Sequence, residues 1–213
     1  MDIGFAFTKG IGKFPLECSS SPGFVVNRVL APSMGEAMAL AHEGVPLAEI
    51  DKAAVRFGMP MGPIELVDSV GLDIAQHVAG ILTTASGREV PENALDKMVE
   101  DGLLGRKTGQ GYYRWENGKA VKPAANGSVP DDIEDRLILA MVNEAVACLS
   151  EGVVADGDFL DAGVIFGTGF APVRGGPINY ARERGFDTVV AALKSLAERH
   201  GERFAPHSGW SSL

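Results

Sequence analysis

Apolar positions recur at spacings of three and four along most of the chain, the pattern of helices that pack by one face. The longest such stretch follows Ser21-Pro22-Gly23-Phe24-Val25-Val26-Asn27-Arg28 and runs to Gly44. Leu30, Ala31, Met34, Met38 and Ala41 make its stripe. Ser21 suits the N-cap and Pro22 the first turn, where its missing N–H costs nothing. Gly44 suits the left-handed stop. Asn27 falls on the same stripe. A side-chain amide aimed into an apolar seam needs partners, since leaving it without them costs about 1–3 kcal/mol. Those partners are either neighbouring backbone or a bound substrate, and the residues alone favour the backbone.

Ahead of this helix, residues 13–18 read as one short strand with nothing to pair with. Residues 1–20 therefore look like the end of an upstream domain or a free tail. Beyond Gly44 the pattern predicts helices at 47–57, 63–69, 72–84 and 91–102, with Gly58 and Gly71 as stops. Gly105-Arg106-Lys107-Thr108-Gly109-Gln110-Gly111 is glycine-rich and basic. Tyr112-Tyr113-Arg114-Trp115 is strand-like, and Asn117-Gly118 suits a hairpin turn. Residues 119–131 lose periodicity and read as a linker. Helices follow at 133–151, 159–166, 177–184 and 187–200, with Gly152 and Gly201 closing the first and the last.

The two halves repeat. A shift of 108 residues places Arg28 on Arg136, Glu36 on Glu144, Glu43 on Glu151 and Gly44 on Gly152. A shift of 110 places Asp51 on Asp161, and one of 114 places Gly62-Pro63-Ile64 on Gly176-Pro177-Ile178 and Gly71 on Gly185. Two copies of a helical unit bury their apolar faces most simply against each other, as an internal version of a two-fold dimer. The copies differ at Asn27, which answers to Asp135. Segment 105–115 has no second copy.

Composition narrows the possibilities. The 213 residues are 46% hydrophobic and 22% charged, an ordinary globular mix, with a formal net charge of -9. That charge disfavours nucleic acid and anionic membranes as partners. No apolar run approaches the roughly 18 residues of a membrane span. Two cysteines, Cys18 and Cys148, make no disulfide framework and fit a reducing, cytoplasmic setting. His42, His77, His200 and His207 lack metal-ligand spacing, so no metal is expected. The dinucleotide fingerprint Gly-x-Gly-x-x-Gly, a Walker loop and a Gly-x-Ser-x-Gly elbow are all absent. Lys107 and the glycines around it suit either an anion contact or a plain polar turn. The turn is favoured, because no helix N-terminus follows to reinforce an anion.

Three motifs in order carry a resemblance. The segment from Ser21 to Arg28, then Gly58-Met59-Pro60-Met61-Gly62-Pro63-Ile64-Glu65-Leu66-Val67-Asp68, then Gly105 to Tyr113 resemble the C-terminal domain of 3-hydroxyacyl-CoA dehydrogenases. The tandem arrangement, with Met141-Val142-Asn143-Glu144-Ala145 and Phe170-Ala171-Pro172-Val173-Arg174-Gly175-Gly176-Pro177 in the second copy, is similar to the large subunit of multifunctional fatty-acid β-oxidation enzymes. The resemblance implies a mainly α fold of two similar helical domains, 6-phosphogluconate dehydrogenase C-terminal-like. They would be related by a pseudo-two-fold, with a hairpin after the first and an N-terminal strand remnant. The implied domains are a remnant of an NAD domain at 1–20, a first copy at 21–118, a linker at 119–131 and a second copy at 132–213.

That family oxidises (S)-3-hydroxyacyl-CoA to 3-ketoacyl-CoA and passes hydride to NAD, using a His oriented by a Glu. The resemblance implies that Asn27 faces the reacting centre. It makes Met61, Gly62 and Pro63 a wall of the acyl pocket and Lys107 a substrate contact. It also implies three partners: an acyl-CoA substrate, an upstream NAD domain and a thiolase subunit. The family's His–Glu pair and glycine fingerprint have no match here, so the chain alone is expected to bind no cofactor and to be inactive. The competing expectation is a binding or assembly module that keeps the fold without the chemistry. Another β-hydroxyacid dehydrogenase family fits less well, because it lacks the motif from Gly105 to Tyr113.

Overall fold

A computed structural model describes residues 2–86, 94–124 and 127–213. It is mainly helical: α1 (Asp2–Gly10), α2 (Val26–His42), α3 (Leu47–Phe57), α4 (Pro63–Val70), α5 (Leu72–Ser86) and α6 (Ala94–Glu100) precede a hairpin. The hairpin strands are β1 (Arg114–Glu116) and β2 (Lys119–Val121), antiparallel with Trp115 opposite Ala120. Then come α7 (Ile133–Ser150), α8 (Gly157–Thr168), α9 (Pro177–Arg184) and α10 (Phe186–His200). Two compact units result. One holds residues 30–141; the other holds 1–29 with 142–213. Helices α2 and α7 each contribute to both.

The stop glycines do what their chemistry predicts: Gly44, Gly58 and Gly152 all take positive φ at helix ends. The start of α2 differs from expectation. Gly23 and Phe24 have φ of 76° and 50°, so helix begins only at Val26. Ser21 does not cap it; its hydroxyl accepts from Arg28 Nη1 at 3.2 Å instead. The deepest face of α2 also differs. Val25 just ahead of the helix, then Val29, Ser33, Glu36, Ala37 and Leu40, are buried, while Leu30, Ala31, Met34, Met38 and Ala41 are half-buried and Asn27 is exposed. A buried glutamate on that face hid it from a reading of apolar positions alone.

Further departures are local. Helix α1 stands where the pattern predicts no helix. Residues 13–18 pair in no ladder; the extended segment is tied by Ser19 N–H donating to the Val153 carbonyl. Helix α8 starts two residues early, because Asp156 accepts from the Asp158 and Phe159 N–H groups. Residues 119–121, read as the start of the linker, form β2, as the Asn117-Gly118 turn requires. The predicted helix start at 91 lies outside the described residues.

In the 30–141 unit the core gathers Leu40, Ile50, Ile64, Leu72, Tyr113, Leu137 and Leu139. The Asp51 carboxylate accepts from Ile64 N–H at 2.8 Å, capping α4 from a distance. Arg136 donates to Glu36 at 2.5 Å and forks onto Glu43 at 2.7 Å twice. The other unit repeats both devices. Asp161 accepts from Ile178 N–H at 2.7 Å and Asn179 N–H at 2.9 Å. Arg28 donates to Glu144 at 2.6 Å and forks onto Glu151 at 2.8 and 2.9 Å. The duplicated positions thus do the same physical work in each unit. In this second unit Gly163 and Gly167 of α8 admit Leu16 and Val26: a Cβ on either would come within 2.5 and 2.4 Å of them.

Candidate functional site

Asn27 is the second residue of α2, exposed, and its amide makes no hydrogen bond among the described residues. Its surroundings are fixed even though it is free. Phe24 N–H donates to the Ser21 carbonyl at 2.8 Å, closing the turn that leads into the helix. Arg28 then bonds Ser21 at the base of that turn, Glu144 of α7 and Glu151 just beyond α7. The fork from Arg28 holds the Glu151 carboxyl below the usual carboxylate range. Burial pushes the neighbouring Cys148 thiol up to about 12, so it stays a neutral core residue at physiological pH.

The other expected site residues lie in the 30–141 unit. Met61 is half-buried, with its sulfur accepting from Ser69 Oγ at 3.9 Å. Gly62 and Pro63 are buried at the start of α4. A Cβ on Gly62 would sit 2.2 Å from Asp51 Oδ1, so glycine is needed there to admit the capping carboxylate. Pro63 supplies the first turn at a position with no N–H to satisfy. These two residues therefore have a structural account in the cap itself.

Lys107 lies in a one-turn 3-10 helix (Arg106–Thr108) and pairs with Asp73. The ammonium holds the Asp73 carboxyl below its ordinary range. The glycines of this loop serve Asp68, the last residue of the second motif. The Asp68 carboxylate accepts from Tyr112 N–H at 2.9 Å, Tyr113 N–H at 2.8 Å and Trp115 Nε1 at 3.0 Å. A Cβ on Gly105 would lie 2.3 Å from the Asp68 carbonyl oxygen, and one on Gly111 would lie 2.3 Å from Oδ1. Asp51 is drawn in as well, accepting from the Tyr113 hydroxyl at 3.0 Å and pairing with Lys122 at 2.8 Å. Lys122 also reaches Glu65 at 2.7 Å.

The repeat register held the clue to Asp68. A shift of 114 places it on Arg182, in the copy that has no hairpin to hold. Arg28 and Arg136 were likewise visible as a matched pair, but not as ion-pair hubs, because their glutamates lie on another helix.

Comparison with known proteins gives this geometry a lineage. The family described as 3-hydroxyacyl-CoA dehydrogenase, C-terminal domain, matches residues 23–115. The fatty acid oxidation complex subunit alpha of Idiomarina loihiensis is 40% identical over 218 residues, covering 94% of this chain and 30% of that protein. The subunit of the same name from Shewanella sp. (strain MR-7) is 38% identical over 219 residues, with 94% and 31% covered. This chain thus spans under a third of the length of those relatives. A crystal structure of 3-hydroxybutyryl-CoA dehydrogenase from Escherichia coli K12 shares the fold, with a TM-score of 0.80 and 24% identity over 99% of this chain and 63% of that one. The dehydrogenase part of multifunctional enzyme 1 from C. elegans does so with a TM-score of 0.71 and 23% identity, over 99% and 52%. Residues 23–115 of this mainly helical chain therefore belong to the 3-hydroxyacyl-CoA dehydrogenase C-terminal domain family.

Proposed function

We propose that this chain is the helical, substrate-side portion of a 3-hydroxyacyl-CoA dehydrogenase acting in fatty-acid β-oxidation. The observation that carries this reading is Asn27: an exposed amide with no partner among the described residues, at the start of α2 beside an Arg28 held by Ser21, Glu144 and Glu151. An amide both donates and accepts without charge, so it orients a hydroxyl or a developing alkoxide without moving the local proton balance. Met61, with Gly62 and Pro63 behind it, lines the acyl group. The Lys107 ammonium, paired with Asp73, turns to or is shared with the anionic end of the CoA.

Dinucleotide binding does not fit the described residues. Their sheet is one two-stranded hairpin, and the sequence holds no glycine fingerprint. NAD and the His–Glu base therefore come from polypeptide outside these 213 residues. The chain by itself gives no hydride transfer. Mixing it with NADH and acetoacetyl-CoA should leave absorbance at the blank rate, and adding the NAD-binding domain of an alpha-subunit relative should start oxidation. Turnover by the chain alone would overturn the incompleteness; silence of the mixture, with both parts folded and bound, would overturn the assignment.

A second reading, a non-catalytic module that docks other subunits, is favoured by one observation. Ile3, Phe7 and Ile11 recur every fourth residue and are exposed, and exposed Phe14 stacks on exposed Phe166 at 5.2 Å. Surface this apolar suits a protein partner such as a separate NAD-domain chain or a thiolase. Co-elution with either on size exclusion, without turnover in the reconstituted mixture, would favour this second reading.

A further inference from the structure

We propose that residues 201–213 are a positioning element for Asn27, acting through Glu151 and Arg28; this rests on the reading of Asn27 as the substrate contact. The segment is seated by one side chain. Asn143 Nδ2 donates to the Ala205 carbonyl at 2.9 Å, and its Oδ1 accepts from His207 N–H at 2.9 Å and from Trp210 Nε1 at 2.8 Å. Trp210 is buried and meets Phe186 edge-on at 6.1 Å. Gly209 lies so close to Ser150 that a Cβ would come within 2.5 Å of it. All three bonds of Asn143 are thus spent on this segment, which makes it a built part of the unit.

What the segment does next is specific. His207 Nδ1 accepts from Gly209 N–H at 3.0 Å, which leaves Nε2 to face Glu151 Oε1 at 3.8 Å. The Arg28 fork grips both oxygens of Glu151, sharing Oε1 with His207. Arg28 in turn holds Ser21, at the base of the turn where Phe24 has φ 50°. That conformation is uncommon outside glycine, asparagine and aspartate and persists only where its surroundings hold it. A chain of contacts therefore runs from the seated segment through His207, Glu151 and Arg28 to the turn, and Asn27 is the residue beside Arg28. The clamp belongs to this copy alone: at the 108-residue shift Asn143 answers to Gly35, which has no side chain to clamp with.

The test is NMR on the full, ¹⁵N-labelled chain, with the Asn27 side-chain amide assigned by its loss in Asn27→Asp. Asn143→Ala and His207→Ala should shift that amide signal and speed exchange of the backbone amides of 24–29 by about tenfold, a local-opening effect. The inference is overturned if Asn27 and the 24–29 amides are unchanged while the Ala205 and Trp210 signals report a released segment. Should Asn143→Ala lose its helicity, His207→Ala decides, because it leaves the clamp intact; an unmoved Asn27 there overturns the inference. The readout needs no turnover. Asn27→Ala in the reconstituted assay separately tests whether Asn27 touches substrate, so the two ideas fail independently.

Discussion

Arg136 and Glu36 are 1% and 2% exposed, a burial that charged groups tolerate only in each other's company. Removing one partner strands the other. Arg136→Ala should therefore cost about 3–5 kcal/mol in urea unfolding. Arg28→Ala removes the matching hub of the other unit, but Arg28 is 19% and Glu151 45% exposed, so water takes over part of the loss. The smaller loss belongs to Arg28; equal losses would contradict the account. Asp161 supplies a pH test. Burial pushes its carboxyl up to about 6 from an ordinary 3.8, against the pull of the Ile178 and Asn179 N–H groups and of Arg182. A raised carboxyl contributes stability that is full below the unfolded value and lost as pH rises through about 6. Asp161→Asn should therefore be better tolerated at pH 7.5 than at pH 4.5, as measured by denaturant midpoints; a penalty that grows with pH would contradict this.

At the scale of elements, the hairpin hangs on Asp68. Asp68→Ala leaves two backbone N–H groups and an indole N–H without their acceptor, a loss of about 3 kcal/mol or more. The Trp115 indole and Tyr112 amide should lose protection in hydrogen exchange while α3 keeps its own; unchanged protection at Trp115 would contradict the role. Most helix limits here were legible because glycine stops and proline starts act locally: α3 and α9 fall where the pattern predicts. The start of α2 was not, since the positive φ of Phe24 is imposed by its surroundings and leaves no local mark. Asn27 is the sharpest case. Periodicity set it on an apolar seam, whereas Glu36 and Arg136 turn a different face inward and leave Asn27 outside.

At the scale of the molecule, the repeat was legible as a register and its physical content was not. Paired arginines and glutamates at matched positions are visible in one sequence, but which pairs meet depends on which helices adjoin. The site follows the same division. Among the residues expected to meet substrate, Asn27 belongs to one compact unit and Met61, Gly62, Pro63 and Lys107 to the other, and only a resemblance groups them. Tying the Asn27 reading to chemistry needs a complete enzyme. The decisive measurement is steady-state kinetics of Asn27→Ala in the chain reconstituted with an NAD-binding domain, using acetoacetyl-CoA and NADH. kcat should fall about a hundredfold with the affinity between the two parts unchanged, the scale seen when one donor to a reacting oxygen is removed. A kcat equal to wild type would contradict it.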